Sequence, residues 1–375
     1  MTQHHLILDT LLVLYPLSDA LLEGLRNIFP VVLYRPCQGP VPKGAQRPTK
    51  EDYAVADAIF AFTLPEDVVS VEQTPRLKLF QGCSSGYSHL DDTSFIRSAS
   101  EKRRDVTFAN ASGIHVSTIS EHIIATVLML YHKLHILTLH QHREQSWLPT
   151  SALGSNFIRE LNTLTVGIIG YGHIGREAAR LFTAHGSTVY ALNRSGQPSA
   201  ESGFVIPHTG DPAGTLPARY FATSSRPSTM AFFSACDVVV NTLPDSVATR
   251  GFVGEEELRA MKGDAVYVNI GRGTTTDQEK LVEALRAVKS PKEDEDATGT
   301  LRIGGASLDV TTPEPLPQHH PLYTLPNVIL TPHMSGASRL YFTRALEVLK
   351  VNTERMRRGQ GALNGWFGRG EGYRG

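Results

Sequence analysis

The sequence predicts an α/β protein with two doubly wound domains, and three observations lead to this prediction. The length of 375 residues is about that of two average domains. Short apolar runs typical of buried strands alternate with segments of helical periodicity. Residues 165–182 (TVGIIGYGHIGREAARLF) form the clearest such unit, with a strand, a glycine-rich turn and a helix. A last helix predicted at 337–356 can return to the first domain, so residues 117–333 are expected to be inserted into a domain of residues 1–116 and 334–375.

The composition argues against several classes of protein. The chain has 41% hydrophobic residues, 19% charged residues and a net charge of −1, which disfavours nucleic acid or an anionic membrane as the partner. No run approaches the ~18 apolar residues of a membrane span, and the apolar N-terminal stretch lacks the basic segment of a signal peptide. The three cysteines, Cys37, Cys83 and Cys236, lie far apart without metal-site spacing. We therefore expect no disulfide, no metal site and a reducing, cytoplasmic location.

The first domain is predicted to contain one helix, at 19–28, and five strands. The strands are placed at 6–8, 31–34, 58–62, 77–80 and 106–109. The fourth strand leads into residues 82–86 (GCSSG), whose backbone N–H groups can form an anion-binding nest for a carboxylate; a plain polar turn is the alternative. One long helix is predicted at 117–141, and its apolar first half indicates burial between domains or against a second subunit. The histidines of its second half are interpreted as a solvated face rather than a metal site.

The strand at 165–169 ends in a GxGxxG turn. In such a unit Gly170 makes the tight turn, Gly172 lets a pyrophosphate approach the backbone, and Gly175 lets the helix pack on the strand. The helix N-terminus, with His173 and Ile174, offers N–H groups and the positive end of its dipole to phosphates. A βα turn without a ligand is the alternative. The strand before the turn and the helix after it favour a Rossmann-type dinucleotide site.

The end of the next strand, 188–192, indicates which dinucleotide is bound. An NAD site places an acidic residue there for the ribose hydroxyls, but this chain has Asn193, Arg194 and Ser195. Arg194 can pair with a 2′-phosphate, and Ser195 can add a hydrogen bond. The pattern favours NADP(H) over NAD(H). Alternatively, Arg194 is a solvated surface residue and NAD remains possible.

The rest of the second domain is predicted less completely. Residues 196–229 are rich in Gly, Pro, Ser and Thr and are predicted mostly as loop. The third strand of the sheet should fall in this stretch, but the pattern does not predict its position. Further strands are predicted at 236–242, 265–270, 305–310 and 328–330, and helices at 255–261 and 281–288. The charged insert at 290–300 is predicted to be a solvent loop.

Three polar residues stand just beyond the ends of three successive predicted strands: Arg272, Glu314 and His333. Ligands of doubly wound sheets bind at the carboxyl edge of the strands, so these side chains can converge beside a bound nicotinamide. A histidine can protonate a carbonyl oxygen that receives hydride, a neighbouring carboxylate favours the imidazolium, and an arginine can hold a carboxylate bidentately. Each residue alone is more often structural. Together they predict hydride transfer at a carbon that bears oxygen.

These residues lie in segments that resemble the D-isomer-specific 2-hydroxyacid dehydrogenase family, the group of phosphoglycerate dehydrogenase and glyoxylate/hydroxypyruvate reductase. The matching segments are GCSSGYSHLD, SEHIIATVLML, VGIIGYGHIGREAAR, VVVNTLPDSVATRGFVG, VNIGRGTTTD, GASLDVTTPEPLP and LTPHMSGAS. They follow the order of the family over residues 55 to 350. The resemblance implies two Rossmann-like or flavodoxin-like domains, with the nucleotide-binding domain inserted into the substrate-binding one.

The resemblance also implies roles for particular residues. Arg272 matches the arginine that binds the substrate carboxylate, His333 the acid/base, and Glu314 the acid that pairs with it. Ser85 and Gly86 match the loop whose backbone amides hold the same carboxylate. The residues expected to complete the cofactor site are Thr242, Leu243, Pro244, Ile270, Gly271, Gly336 and Asp309, the last near the nicotinamide end. A homodimer joined through the nucleotide domains, with the 117–141 helix at the interface, is also implied.

The sequence departs from the family pattern in places. Thr311 and Thr312 replace the usual aromatic or acidic residues, and the loops at 196–229 and 290–303 are longer than usual. Glu314 argues against formate dehydrogenase, which has Gln there. The favoured function is NADP(H)-linked reduction of a small 2-oxoacid, such as glyoxylate or hydroxypyruvate, to the D-2-hydroxyacid. The alternatives are NAD-linked oxidation of a D-2-hydroxyacid and a nucleotide-sensing, corepressor-like binding protein, which would bind cofactor without turnover.

Overall fold

Two sheets, each in its own unit of the chain, organise the structure. The computed structural model describes residues 6–86, 90, 93–102, 105–153, 158–286 and 301–366. Unit 1 consists of Met1–Ile114, Ser202–Val205 and Ser338–Gly375, and unit 2 of His115–Glu201 and Ile206–Ala337. Both units are α/β, and the predicted fold class is confirmed.

Unit 1 is built on a six-stranded sheet. Its strands are β1 (Thr10–Val13), β2 (Val31–Tyr34), β3 (Ala58–Ala61), β4 (Leu79–Gly82), β5 (Thr107–Ala109) and β13 (Gly365–Trp366), in the order β13-β5-β4-β3-β1-β2. Only β13 runs antiparallel to its neighbour. The helices are α1 (Asp19–Arg26), α2 (Lys50–Val55), α3 (Ser94–Glu101) and α10 (Tyr341–Arg357).

The first strand lies later in the chain than the predicted 6–8. Ile7 is 64% exposed, whereas all four residues of β1 are buried between β2 and β3. The carboxylate of Asp57 accepts the N–H groups of Asp9 and Thr10 at 3.1 and 2.9 Å, which fixes the start of the strand. The placement therefore depends on pairing with strands remote in sequence.

Unit 2 is built on a seven-stranded parallel sheet. Its strands are β6 (Thr165–Ile169), β7 (Thr188–Asn193), β8 (Arg219–Ala222), β9 (Val238–Asn241), β10 (Val266–Asn269), β11 (Gly305–Leu308) and β12 (Val328–Leu330), in the order β12-β11-β10-β9-β6-β7-β8. The helices are α4 (Val116–Tyr131), α5 (Leu134–Glu144), α6 (His173–Ala184), α7 (Arg226–Ala235), α8 (Glu255–Ala260) and α9 (Gln278–Arg286). One apolar core joins the sheet to α4 and α6, and a second joins it to α7, α8 and α9.

The single helix predicted at 117–141 is wrong, because the structure contains two helices there. Lys133 has a left-handed backbone with φ of 57°, and α4 and α5 meet at an angle of 68°. Helix α4 buries much of its surface in unit 2, whereas α5 has no buried residue. Within the described ranges no single helix is long and apolar enough to cross a membrane; α4 and α5 pass a test of length and composition only when joined.

The loop predicted at 196–229 is also wrong in its second half, where β8 and α7 lie. The strand β8 has only four residues, and it pairs with the edge of the sheet along β7. The Ser225 hydroxyl caps α7 by accepting the N–H of Ser228, and a proline stands in the first turn of the helix. The charged insert predicted at 290–300 lies outside the described residues.

Candidate active site

The GxGxxG turn of unit 2 has the geometry of a phosphate site. Gly170 has φ of +83°, which favours glycine. A Cβ on Gly175 would lie 2.5 Å from the carbonyl oxygen of Gly170, whereas one on Gly172 would meet no heavy atom within 4 Å. Gly172 precedes α6, and no side chain caps the helix there. The open backbone at Gly172 and the uncapped helix N-terminus therefore fit a dinucleotide pyrophosphate.

The residues after β7 form an exposed turn. The Asn193 side chain closes it by accepting the N–H of Gly196 at 2.7 Å and donating to the carbonyl of Gln197 at 2.8 Å. Arg194 and Ser195 are exposed, and Ser195 Oγ lies 3.5 Å from Asn193 Oδ1. Within the described part of the chain, the Arg194 guanidinium has no hydrogen-bond or ion-pair partner. Its charge is available to an anion at this end of the sheet.

The loops after β9 and β10 pack against the glycine turn and against each other. Thr242 Oγ1 donates to the carbonyl oxygen of Gly170 at 2.6 Å. A Cβ on Gly271 would lie 2.4 Å from the carbonyl oxygen of Leu243, so only glycine fits there. Ile270 is buried and Pro244 is exposed. The predicted residues Thr242, Leu243, Ile270 and Gly271 thus form one contiguous edge beside the turn.

Two buried asparagines at the ends of β9 and β10 shape these loops, and sequence reasoning assigned no role to either. Asn241 Oδ1 accepts the N–H of Leu243 at 3.0 Å. Asn269 Oδ1 accepts the N–H of Gly271 at 3.0 Å, and its amide donates to the carbonyl oxygen of Arg272 at 3.1 Å. Each strand therefore ends in a side chain that holds the first residues of its own loop.

The segment after residue 196 carries a second group of residues that sequence reasoning missed. His173 Nδ1 lies 2.9 Å from Glu201 Oε1, and the two side chains are only 10% and 5% exposed. Arg176, which is 3% exposed, donates to the carbonyl oxygens of Ser199 and Asp211 at 2.8 and 2.6 Å. The segment is therefore attached directly to the first turn of α6.

Arg272 follows β10, which lies between β9 and β11 in the sheet. It precedes a short 3₁₀ turn, Gly273–Thr275. Its side chain is half-buried, and Nη1 donates to the carbonyl oxygen of Gly271 at 2.7 Å. It is the one hydrogen bond of this side chain to the described residues, and it leaves most of the guanidinium N–H groups for a carboxylate.

Glu314 and His333 form a direct pair. Glu314 Oε2 lies 2.9 Å from His333 Nδ1, and Glu314 Oε1 accepts the N–H of Thr311 at 3.0 Å. An ionised carboxylate can only accept, so Nδ1 carries a proton and Nε2 is the ring nitrogen left for a substrate. The side chain of His333 is 49% exposed and that of Glu314 is 38% exposed. A ligand can therefore reach the pair, and the Thr311 N–H holds the second oxygen of the Glu314 carboxylate.

Asp309, which is 2% exposed, lies at the start of the loop after β11. Its carboxylate accepts the Thr331 hydroxyl and the Met334 N–H on Oδ1, and the N–H and hydroxyl of Ser335 on Oδ2. Burial by itself raises the pKa of Asp309, but these hydrogen bonds outweigh burial and hold the pKa below its usual value. The carboxylate is therefore ionised at neutral pH.

Two histidines contact the segment after β12 that carries His333. His122 lies in α4, and His115 precedes the first residue of that helix. His122 Nε2 lies 3.4 Å from Thr331 Oγ1, and burial lowers the pKa of His122, which keeps its ring neutral. His115 Nδ1 lies 3.1 Å from the carbonyl oxygen of Gly336. These contacts fix the two ends of the segment that carries His333.

Ser85 and Gly86 belong to unit 1, in the loop after β4. Ser85 Oγ donates to the carbonyl oxygen of Ala111 at 3.2 Å, and Ser84 Oγ donates to that of Gly86 at 2.7 Å. Neither Ser85 nor Gly86 donates its backbone N–H to a residue that the structure describes. The loop is thus held by its hydroxyls, and its amides fit the predicted anion nest.

Comparisons with known proteins show the family and the fold of the chain. Residues 124–335 match the family model of the D-isomer specific 2-hydroxyacid dehydrogenase NAD binding domain. The chain is 26% identical over 290 residues to glyoxylate/hydroxypyruvate reductase B of Klebsiella pneumoniae, which covers 77% of each protein. It is similar in fold to the NADPH-dependent glyoxylate/hydroxypyruvate reductase of Sinorhizobium meliloti in complex with NADP and sulfate, with a TM-score of 0.67, 20% identity, and coverage of 96% and 98% of the two chains. It is also similar to a D-isomer specific 2-hydroxyacid dehydrogenase of Lactobacillus delbrueckii in complex with NAD, with a TM-score of 0.70, 18% identity, and coverage of 96% and 100%.

Proposed function

Because the chain belongs to the D-isomer-specific 2-hydroxyacid dehydrogenase family, we propose that it reduces a small 2-oxoacid to the D-2-hydroxyacid, with glyoxylate and hydroxypyruvate as the first candidates. The observation that carries the proposal is the pair of Glu314 and His333, 2.9 Å apart at the carboxyl edge of the sheet. Arg272 follows β10, which lies beside β11 in the sheet, and β11 lies beside β12. An acid/base and a carboxylate-binding group thus stand at one sheet edge, as the reduction of a 2-oxoacid requires.

Each residue has a defined task in the proposed reaction. A nicotinamide dinucleotide bound at the glycine turn supplies the hydride. His333 gives its Nε2 proton to the substrate carbonyl oxygen, and Arg272 holds the substrate carboxylate. Glu314 orients the ring. Both side chains of the pair are more than a third exposed, so attraction between their charges would stabilise the pair by only about 0.2–1 kcal/mol. The larger contribution of Glu314 is therefore to orient the imidazole ring.

The direction of the pH dependence follows from these tasks. Reduction needs the imidazolium of His333 and oxidation needs the neutral ring. The rate of reduction should therefore fall as pH rises, and the rate of oxidation should rise. Initial rates in both directions across neutral pH test this, and parallel profiles would contradict the role of His333.

The proposed cofactor is NADP(H), with NAD(H) as the alternative. The support is the exposed guanidinium of Arg194, which has no partner among the residues that the structure describes, and the absence of a carboxylate at residues 193–195. Replacing Arg194 by alanine should raise the Kd of NADPH about tenfold, since one charge-assisted contact is lost, and leave that of NADH unchanged. Equal effects on both cofactors would refute recognition of a 2′-phosphate.

The proposal extends to the organisation of the protein. Residues 1–116 and 334–375 are assigned to substrate binding, with Ser85 and Gly86 as a second contact to the carboxylate, and residues 117–333 to nucleotide binding. A homodimer and a cytoplasmic location complete it. All three cysteines are unpaired thiols, which supports a reducing compartment. Light scattering on the purified chain tests the dimer.

The experiment that tests the proposal is oxidation of NADPH and of NADH with glyoxylate, hydroxypyruvate, pyruvate and a branched 2-oxoacid. Rapid oxidation of NADPH with one of them is the expected result. Faster turnover with NADH would retain the reductase and reject the assignment of Arg194. Tight cofactor binding without turnover on any 2-oxoacid would refute the reductase and favour a nucleotide-sensing protein.

A further inference from the structure

We propose that the buried pair of His173 and Glu201 belongs to the cofactor site. In this assignment His173 donates a hydrogen bond from Nε2 to the dinucleotide pyrophosphate, and Glu201 is the positioning residue that keeps the ring oriented and charged. The inference rests on the proposed function only in requiring a dinucleotide at the glycine turn. The resemblance to the family implies no role for Glu201, which lies in the stretch where this chain is longer than the family pattern.

His173 stands where a phosphate is expected to approach the turn. It is the first residue of α6 and directly follows Gly172, whose backbone is open. Nδ1 of the ring lies 2.9 Å from Glu201 Oε1, and Nε2 has no hydrogen-bond partner among the described residues. The side chain keeps 10% of its surface exposed. One ring nitrogen is thus fixed by the protein, and the other is left for a ligand.

The carboxylate of Glu201 is buried with one of its oxygens unused. The side chain is 5% exposed, and Oε2 is buried without a hydrogen-bond partner in the described part of the chain. This oxygen packs so closely on Gly210 that a Cβ there would lie 2.6 Å from it. A buried carboxylate with so few hydrogen bonds is costly unless a positive charge stands beside it. His173 can supply that charge as an imidazolium.

The other charged side chains around this turn have partners of their own. Arg176 donates to backbone carbonyl oxygens in the segment after residue 196, and Glu177 pairs with Arg180 at 2.7 Å. The carboxylate of Asp211 accepts the Tyr171 hydroxyl at 2.8 Å. Over the described ranges none of these side chains forms a hydrogen bond or ion pair with the histidine or the glutamate. The buried pair therefore has to balance its own charge.

Hydrogen-bond chemistry determines which form of the ring can bind a phosphate. An ionised carboxylate and an ionised phosphate both only accept hydrogen bonds, so a ring between them must carry a proton on each nitrogen. An imidazolium at a helix N-terminus is disfavoured by the helix dipole, and the carboxylate of Glu201 offsets this effect. The bound pyrophosphate and Glu201 then stabilise the imidazolium of His173 from its two sides.

A double-mutant cycle with ADP-ribose tests these roles. ADP-ribose carries the pyrophosphate but neither the nicotinamide nor a 2′-phosphate, so its Kd depends neither on turnover nor on the choice between NADP and NAD. His173→Asn should raise this Kd about 10-fold to 100-fold, since a charge-assisted contact is lost, and Glu201→Gln about threefold to tenfold. If Glu201 acts through His173, the double variant will have the Kd of His173→Asn. Additive effects of the two substitutions would overturn the positioning role.

The pH dependence of the same Kd gives a readout that a purely structural role would not move. A neutral ring that keeps its proton on Nδ1 for Glu201 has none left on Nε2. The Kd of the wild type should therefore rise between about pH 6 and pH 9, where a histidine loses its charge, and that of His173→Asn should rise less. Parallel profiles of the two proteins would overturn the contact with the phosphate.

Ser199→Ala is the matched control in the same segment. It removes an acceptor of Arg176 Nη2 at 3.1 Å and leaves the histidine–glutamate pair intact, so the Kd of ADP-ribose and the melting temperature should stay at their wild-type values. A loss of affinity equal to that of Glu201→Gln would show that only the packing of the segment matters, and the inference would be rejected.

The outcomes separate this inference from the proposed function. A wild type that binds ADP-ribose and turns over no 2-oxoacid refutes the reductase, and the cycle still decides the roles of His173 and Glu201. A wild type that fails to bind ADP-ribose overturns this inference, and the oxidation of NADPH still decides the reductase. Thermal unfolding of each variant without ligand checks that the fold is kept; if Glu201→Gln does not fold, the pH profile of His173→Asn still tests the phosphate contact.

Discussion

Replacing Gly172 by alanine should abolish most cofactor binding and leave the fold intact. A Cβ on this residue would meet no heavy atom within 4 Å, and its φ of −90° and ψ of −164° are open to alanine. The added methyl group would, however, stand at the N-terminus of α6, where the pyrophosphate is expected to approach the backbone. The substitution thus separates binding from folding.

The magnitudes follow from the geometry. Losing one charge-assisted contact between a backbone N–H and a phosphate costs about 1.5–3 kcal/mol, which raises Kd about 10–150-fold. The net change in the free energy of unfolding should be small. Alanine is a less favourable N-cap than glycine, which destabilises the fold by up to about 1 kcal/mol, but it lowers the entropy of the unfolded chain, which stabilises the fold by about 0.4–1 kcal/mol. Titration of tryptophan fluorescence or calorimetry with NADPH measures the first effect, and thermal unfolding without cofactor measures the second.

Gly175→Ala is the matched control, since the same methyl group is added three residues later in the same turn. There it would lie 2.5 Å from the carbonyl oxygen of Gly170 and 3.0 Å from Ile168 Cγ2. Overpacking of this kind costs about 1–3 kcal/mol, so this variant should unfold at a lower temperature. If Gly172→Ala binds NADPH with the wild-type Kd, or melts as early as Gly175→Ala, the reasoning about the turn is refuted.

Two further predictions concern charged residues of unit 2. Arg272→Lys should lower kcat/KM at least about tenfold, because an ammonium cannot reproduce a bidentate contact, with the Kd of NADPH unchanged; steady-state kinetics with unaltered kcat/KM would reject the contact. Asp237 is buried, which raises its pKa, but the Thr165 N–H at 2.8 Å, Arg159 at 2.7 Å and Lys262 at 2.9 Å outweigh burial and hold the pKa below its usual value. Its contribution to stability is therefore present at neutral pH and is lost in acid, as pH falls from the usual pKa of an aspartate through the lowered pKa of the folded state. Asp237→Asn should lower the free energy of unfolding at pH 7 by about 1–3 kcal/mol and flatten its decline in acid; equal acid dependence in urea titrations of both proteins would contradict this.

The glycine turn could be predicted from the sequence because its causes are local. The strand Thr165–Ile169 has the predicted bounds, and α6 begins at His173, one residue from the first predicted apolar position. The requirement for glycine at residue 175 arises from contacts with Gly170 and Ile168, a few residues away. The pairing of Glu314 with His333 was implied by the resemblance to the family, whereas their places after predicted strands indicated only that the two side chains can converge.

The break between α4 and α5 could not be predicted in this way. Neither glycine nor proline stands near Lys133, and the apolar periodicity continues through it. The chain turns because α4 is buried against the sheet of unit 2 and α5 is not. Burial of that kind depends on strands more than 30 residues away and leaves no local signal.

The same limit applies to three parts of the candidate site. Strand β8 has four residues in a stretch rich in Gly, Pro and Ser, and only its pairing with β7 defines it. Glu201 meets His173 across 28 residues of sequence. The donors to Asp309 lie 22 to 26 residues away from it. The sequence signal for this segment was Arg176, a charged residue directly after the GxGxxG turn. Its burial and its contacts with Ser199 and Asp211 are visible only in the structure.

Turnover of a 2-oxoacid by His333→Asn is the most direct test of the proposed reaction. Asparagine tolerates the left-handed backbone that His333 adopts at φ of 51°, so the loop keeps its shape while the proton donor is removed. We expect kcat to fall about 100-fold to 10,000-fold, with the Kd of NADPH and the melting temperature unchanged. A variant that keeps the wild-type kcat would contradict the assignment of His333 as the acid/base and with it the proposed reaction.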